Sequence, residues 1–492
     1  MINEDVVFSD EFFSGFGFSG LFFIGLKIIE IIVIFRALLR PHREPVSRAA
    51  WIILIAFVPI IGVFLYILFG ETNLGRKKAE ELQLATRELR LPSETLLAKA
   101  ELETKIPEAY RQIFHAAWSI NGLPVSIQNE GQLFSEPEAI IDQMVSDIDN
   151  AKKTVHALCY IWRPDRSGLR LIEAIKRASQ RGVKCRVAAD ALGSADLLRS
   201  THWLSLKDFG VQAVSLLPIR RPLLKLWWRR LDLRNHRKLL IVDQEIAYSG
   251  SRNSADVDLK PKYGPWVDLM IRFQGSIALQ QEWIFLTDWM AATNQNLQPL
   301  LETKPKSTSK NVMALAFGTG PSFRFAAMPE IFAALTFAAQ KEIIVTTPYY
   351  VPSDGMHHAL CAAAKRGVNT SIIFPARNDS PFVAAASRSY YFDLLNSGVK
   401  VFEYQKGLLH SKTFTVDGVL SLVGSANMDR RSFDLNFESN VLFYDSELTQ
   451  SLKELQTRYM SESSLLALSE VQGWSMARRA WNNTAAMMGP LL

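Results

Sequence analysis

The sequence predicts two tandem α/β domains related by an internal pseudo-twofold, preceded by an N-terminal two-helix transmembrane hairpin. Three observations predict it. NHRKLLIVDQEIAYSGSRN, from Asn235, and LHSKTFTVDGVLSLVGSAN, from Leu409, carry one pattern, H-x-K-x4-D-x6-G-S-x-N, 174 residues apart. The stretches before the two motifs repeat one alternation of strand-like and helix-like runs. Near the N-terminus, Ala49–Phe69 is a run of 21 uncharged positions.

In chain order, the apolar N-terminal segment, residues 1–70, comes first. About 20 apolar residues cross the hydrocarbon core of a bilayer, so Ala49–Phe69 reads as one span, with Pro59 accommodated as a kink. Phe12–Phe35 reads as another; its Lys27 and Glu30 lie three apart on one helical face, where they can pair or face the neighbouring helix. The first 11 residues are acidic, unlike the basic start of a cleaved signal peptide. The loop Arg36–Arg48 holds four arginines against one glutamate, which favours the cytoplasmic side. Arg76, Lys77 and Lys78 follow the second span and argue for the opposite orientation, so orientation stays open.

The repeat follows. AKKTVHALCYIW from Ala151 resembles AQKEIIVTTPYYV from Ala339; both are buried-strand patterns, rich in β-branched and aromatic residues. Each leads into a helix-like stretch ending in Arg-Gly-Val, at Arg181 and Arg366, then another strand, RVAAD or TSIIFPA. Alternating strands and helices imply α/β domains, and two copies imply two of them packed together. The polar stretch 304–310 is the expected boundary. The expected division is therefore 1–70 for the anchor (helices about 12–35 and 49–69), 71–125 for a helical linker, 126–300 and 311–470 for the two domains, and 471–492 for a tail. The copies differ chiefly by an insertion: 25 residues separate Val211 from His236, but 11 separate Val399 from His410.

Composition narrows the chemistry only slightly. Fifty-five basic against 49 acidic residues give +6, a mild bias that suits an anionic partner. Cys159, Cys185 and Cys361 sit scattered in apolar settings and read as buried thiols rather than disulfides or a metal cluster. No nucleotide-binding P-loop is present, and a lysine two residues from each motif histidine would repel a metal cation. No cofactor and no metal is expected.

The motif itself carries the function. On a strand, residues i and i+2 share a face, so His236 emerges with Lys238 and His410 with Lys412. Two such pairs around one cavity match the needs of phosphodiester exchange. One neutral imidazole attacks phosphorus to give a phosphohistidine, and the other, protonated, supplies the departing alkoxide with its proton. The lysines, with Asn253 and Asn427, hold the non-bridging oxygens. Two histidines in one site titrate as a coupled pair, which leaves one charged and one neutral near pH 7. Each needs an acceptor for its other nitrogen; Asp268, 32 residues after His236, and Glu438, 28 after His410, are the candidates. Asp243 and Asp417 complete the catalytic signature from strand ends before turns, with structural roles that can include pairing to nearby basic residues.

These residues resemble the phospholipase D superfamily and, within it, the bacterial cardiolipin synthases. YIWRPDRSG, SRSYYFDLLNSGVKVFEYQKGLLHSK, NMDRRSFDLNFESN and the N-terminal WIILIAFVPIIGVFLYILFG carry the likeness over essentially the whole chain. The resemblance implies two phospholipase D-like domains, each a mixed β-sheet flanked by helices, with the site between the halves. It implies metal-free transfer of a phosphatidyl group from one phosphatidylglycerol to another, giving cardiolipin and glycerol, in a multi-pass protein of the bacterial inner membrane. By analogy His236 is the attacking histidine. Ser411 stands where alanine is common, and Ser251 and Ser425 replace the second glycine of the wider pattern.

Several features stay outside the motif. IRRPLLKLWWRRLDLRNHRK mixes basic residues with Leu223, Leu224, Trp227 and Trp228, which fits a segment bedded in anionic membrane lipid or a solvated basic loop. The tail can lie at a membrane surface through Trp474 and Trp481, or pack on the domain. His357 and His358 read as surface residues, and His156 as a core residue with a satisfied hydrogen bond. A phospholipase D that uses water, a membrane-anchored nuclease and an inactive lipid-binding scaffold are the competing readings; no nucleic-acid partner is expected, and the oligomeric state is left open.

Overall fold

KLLIV (Lys238–Val242) and TFTV (Thr413–Val416) are short runs buried on both faces, the pattern of strands interior to a covered sheet. A computed structural model of the chain describes residues 18–41, 45–71, 74–91, 105–218, 230, 232–302 and 308–488. Among these, contacts divide the chain into a small unit, comprising the helices between residues 18 and 71 together with Arg230, and a large unit with the rest.

The large unit is built on a sixteen-stranded sheet whose two halves repeat one order. In the first half Gln212–Leu216, Lys184–Asp190 and Thr154–Cys159 run parallel. Lys238–Val242, Ile246–Gly250, Met270–Gln274 and Ser126–Phe134 then follow as successive antiparallel neighbours. The second half repeats this with Lys400–Tyr404, Asn369–Pro375 and Glu342–Thr346, then Thr413–Val416, Leu420–Gly424, Asn436–Tyr444 and Val312–Thr319. The halves join where Ser126 faces Ala314 and Asn129 faces Val312, with a register irregularity between.

Parallel neighbours need crossover helices, here Arg166–Gln180 and Asp354–Lys365. The repeated Arg-Gly-Val ends both: Gly182 and Gly367 each adopt φ +90°, the left-handed turn that stops a helix and that glycine enters without strain. The helix Ile277–Thr293 is buried along most of its length and carries Glu282 and Asp288 into the interior. His156 faces it, with Nδ1 2.6 Å from Glu282 and Nε2 3.0 Å from Arg186.

One expectation changes here, one open choice is resolved, and one falls outside the described residues. His357 is buried rather than exposed, because its ring fills the space beside Tyr350 and its Nδ1 lies 3.0 Å from the Tyr350 hydroxyl; His358 stays exposed. The tail is a helix, Met476–Met487, whose Ala485 packs with Ala385 and Ala386 of the helix Pro381–Ser389, while Trp481 remains half exposed. The basic-aromatic insertion, with Leu223, Leu224, Trp227 and Trp228, lies outside the described residues, as does most of the polar stretch 304–310.

The small unit departs most from expectation. Phe18–Leu39 is one helix, but the run expected to form a single span is two helices, Pro45–Phe57 and Pro59–Phe69. Pro59 supplies no N–H and disfavours a helical Val58, which sits at φ −134°, ψ 69°. The chain doubles back there, and Trp51 meets Tyr66 edge-on at 5.3 Å. No described helix is long and apolar enough to cross a membrane.

Candidate active site

Two short parallel pairings bring the motifs together. Arg234–Asn235 pairs with the start of Asn436–Tyr444, and Leu408–Leu409 pairs with Trp266–Val267. In consequence the His236 N–H donates to the Phe437 carbonyl and the His410 N–H to the Val267 carbonyl, each at 2.9 Å. The next residue along each accepting strand is a carboxylate, so the pairing sets each histidine beside a carboxylate of the other half.

The orienting acceptors are therefore exchanged. His236 Nδ1 lies 2.9 Å from Glu438, and His410 Nδ1 lies 2.7 Å from Asp268. Sequence spacing, which tied each carboxylate to the histidine upstream of it, places both residues at the site but pairs them the wrong way round. Glu438 is held further by Ser425 Oγ and by Asn436 Nδ2 at 3.1 Å. With Nδ1 engaged, Nε2 is the ring nitrogen left for chemistry on each imidazole.

All six motif side chains closest to the chemistry are buried: His236, Lys238, Asn253, His410, Lys412 and Asn427. Each lysine folds back to donate to its own histidine's carbonyl, Lys412 to that of His410 and Lys238 to that of His236, the latter at 2.7 Å. Asn253 accepts from the Ile161 N–H at 3.3 Å, while its Nδ2 has no partner among the described residues; Asn427 Oδ1 also has none. Buried amide groups with unused capacity suit a polar ligand. Tyr160 meets the His236 ring edge-on at 4.8 Å, and Trp266 lies 4.4 Å from the His410 ring. Sequence reasoning passed over both rings, although Trp266 stands two residues before Asp268 as a visible signal.

Electrostatics tie the two halves together. Burial lowers both imidazoles below the usual histidine range; the motif lysines of both halves push the same way, and the paired carboxylates oppose them. Both rings are thus neutral near pH 7 in the free protein, not one charged and one neutral. Burial also lowers Lys238, and brings Lys412 to about 7. Burial alone would raise Asp268 and Glu438, but the histidine and lysines beside each more than offset it, so both stay below the ordinary carboxylate value.

Residues flanking His236 hold it from both sides. Asn235 Nδ2 donates to Asp288 at 2.7 Å, and Arg237 pairs with the same carboxylate at 2.7 Å. Arg237 Nε also donates to the Glu438 carbonyl at 3.0 Å, so one guanidinium links a first-half helix to the strand carrying Glu438. At the equivalent place Ser411 donates to the Val267 carbonyl at 3.1 Å.

The motif aspartates stand apart from this chemistry. Asp243 and Asp417 lie at the far ends of their strands, both with φ 52°. Their carboxylates accept backbone N–H groups, from Lys152, Lys153 and Thr154 in one half and Gln340, Lys341 and Glu342 in the other. They fasten the turn to the start of the neighbouring strand, through backbone groups rather than basic side chains. The motif glycines have a packing reason: a Cβ on Gly250 would sit 2.3 Å from the Leu269 carbonyl, and one on Gly424 would sit 2.5 Å from the Ser439 carbonyl.

A duplicated α/β scaffold with two His–Lys pairs and two exchanged carboxylates defines a phosphodiester-transferring protein of the phospholipase D type. Comparison with known proteins agrees. The family described as "Cardiolipin synthase, PLD-like domain" matches residues 144–260 and 334–459, and "Phospholipase_D-nuclease N-terminal" matches residues 28–71. Cardiolipin synthase A of Edwardsiella ictaluri is 33% identical over 445 residues, covering 88% of this chain and 90% of that one. Its counterpart from Klebsiella pneumoniae is 33% identical over 467 residues, covering 92% and 93%. Among solved structures, phosphatidylserine synthase of Haemophilus influenzae shares the fold, with a TM-score of 0.57 at 16% identity over 77% of this chain and 100% of that one. The chain belongs to the cardiolipin synthase family and is a phosphatidyltransferase.

Proposed function

We propose that the site transfers a phosphatidyl group from one phosphatidylglycerol to the free glycerol hydroxyl of a second, through a phosphohistidine. His236 Nε2 attacks phosphorus and the P–O bond to the departing glycerol breaks. His410 gives that oxygen a proton, and glycerol leaves. His410 then takes the proton of the incoming hydroxyl, whose oxygen displaces His236 and forms cardiolipin. Phosphodiester is exchanged for phosphodiester, so the reaction needs no external energy source.

The observation that carries this reading is the exchanged pairing of His236 with Glu438 and His410 with Asp268. A carboxylate on each Nδ1 fixes the tautomer and directs Nε2 at the substrate. Neutral imidazoles suit the attack; the anionic phosphodiester, once bound, favours the proton that His410 must deliver. Lys238 and Lys412, with Asn253 and Asn427, are placed to take up charge on the non-bridging oxygens. Water in place of the second hydroxyl would give phosphatidic acid, the hydrolytic alternative.

The substrate is a bilayer lipid, and we place the enzyme at the bacterial membrane through its N-terminal unit. Phe22, Phe23, Ile32, Phe35, Phe57 and Ile60 are all more than half exposed, a surface suited to lipid. The outward Met476, Trp481 and Met487 of the last helix suit the same environment.

Purified full-length protein given labelled phosphatidylglycerol in vesicles should yield cardiolipin and glycerol. His236→Gln and His410→Gln should each lower that rate by at least about a thousandfold while the protein stays folded. Phosphatidic acid as the only product, or normal turnover in either variant, would overturn the reading.

A further inference from the structure

We propose that residues 45–69 form a re-entrant hairpin, which enters the bilayer tip first and returns to the face it came from. This rests on the membrane placement above and adds its topology. The two arms are 13 and 11 residues long, or roughly 20 and 17 Å at 1.5 Å per residue. Neither matches a hydrocarbon core of about 30 Å.

Three contacts close the hairpin. Trp51 and Tyr66, fifteen positions apart in sequence, meet at 5.3 Å, where a continuous helix would hold them roughly 22 Å apart. Gly62 comes so near the other arm that a Cβ would lie 2.6 Å from the Leu54 carbonyl. At the base, Glu71 accepts from Arg36 through two nitrogens, at 2.5 and 2.9 Å, and pairs with Arg40 at 3.5 Å. The residue just beyond the second arm is therefore level with the end of the helix that precedes the first.

Chemistry orders the hairpin along its length. Its tip, Phe57 to Ile61, is wholly apolar; Phe57 is 82% exposed and Ile60 67%. Pro59 brings no N–H into that tip, and the Val58 and Gly62 N–H groups bond to Leu54 and Val58 carbonyls. Basic residues flank it in sequence, Arg36 and Arg40 before it, Arg48 near its start and Arg76, Lys77 and Lys78 after it, a pattern that suits anionic headgroups at its two ends. The two basic clusters give contradictory orientations if residues 49–69 cross the membrane. They agree if the chain turns back, since both then lie on one face, cytoplasmic by the positive-inside rule.

The test uses full-length protein in sealed vesicles of phosphatidylglycerol and phosphatidylcholine. Leu39→Cys, Lys77→Cys and Ile60→Cys are made separately and treated with a membrane-impermeant maleimide; the native thiols are buried. Leu39→Cys and Lys77→Cys should react from the same side, whichever way the vesicles are oriented, and Ile60→Cys from neither. A fluorophore placed at Ile60→Cys before reconstitution should be quenched by lipids brominated on the acyl chain. Reaction of Leu39→Cys and Lys77→Cys from opposite sides would overturn the hairpin and leave the anchor standing. Protein that fails to float with the vesicles would remove the membrane placement itself.

Discussion

In the proposed reaction Lys412 is a residue whose ionisation should limit the rate near neutral pH. Buried beside a second lysine, its ammonium holds its proton only up to about pH 7 in the free protein. The attacking imidazole must instead be neutral, and its lowered value makes it so from well below pH 6.5. The rate constant kcat/KM, which reports free enzyme, already falls with pH because His410 must gain a proton, and should fall by roughly a further tenfold per unit above about pH 7 once the ammonium is lost. Lys412→Arg, which stays charged, should move that basic limb up by two units or more even if the plateau is lower. Initial rates from pH 5 to 9.5 decide it; an unmoved limb assigns the titration to another group. The repeated pattern alone points to Lys412, but its depressed value comes from burial and from Lys238, neither of which spacing reveals. Arg237 was hidden for a similar reason. It occupies an unspecified position of the motif, and only the fold shows it reaching Asp288 and the Glu438 carbonyl.

The motif strands and the turns between them were the most legible elements, because their residues report backbone demands directly. Gly250 and Gly424 stand where the neighbouring strand comes too close for any side chain. Gly250→Ala and Gly424→Ala should each cost about 1–3 kcal/mol through forced backbone movement, read as a lower urea midpoint with an unchanged slope. An unaltered midpoint in both would mean that the sheet yields there without penalty. The segment at residues 49–69 was less legible. A hydropathy run records how apolar a stretch is, not whether it is one helix or two, and Pro59 fits a kink as readily as a reversal. What decides is contact: Trp51 with Tyr66, and Gly62 against Leu54.

At the scale of the molecule, the sequence repeat foretold two similar halves but not which half each carboxylate would serve. Glu438 lies 28 residues from His410 and belongs to His236, because Arg234–Asn235 pairs with the strand that carries it. Unfolding measurements on single and double variants should show this as a coupling energy. His236→Gln with Glu438→Gln should couple by more than roughly 0.5 kcal/mol, and His236→Gln with Asp268→Asn by less. The reverse order would restore the pairing that linear distance suggests. The exchange also binds the two copies as descendants of one duplication. In the proposed reaction neither half works without its sibling, since damage to one carboxylate would disarm the histidine of the other half.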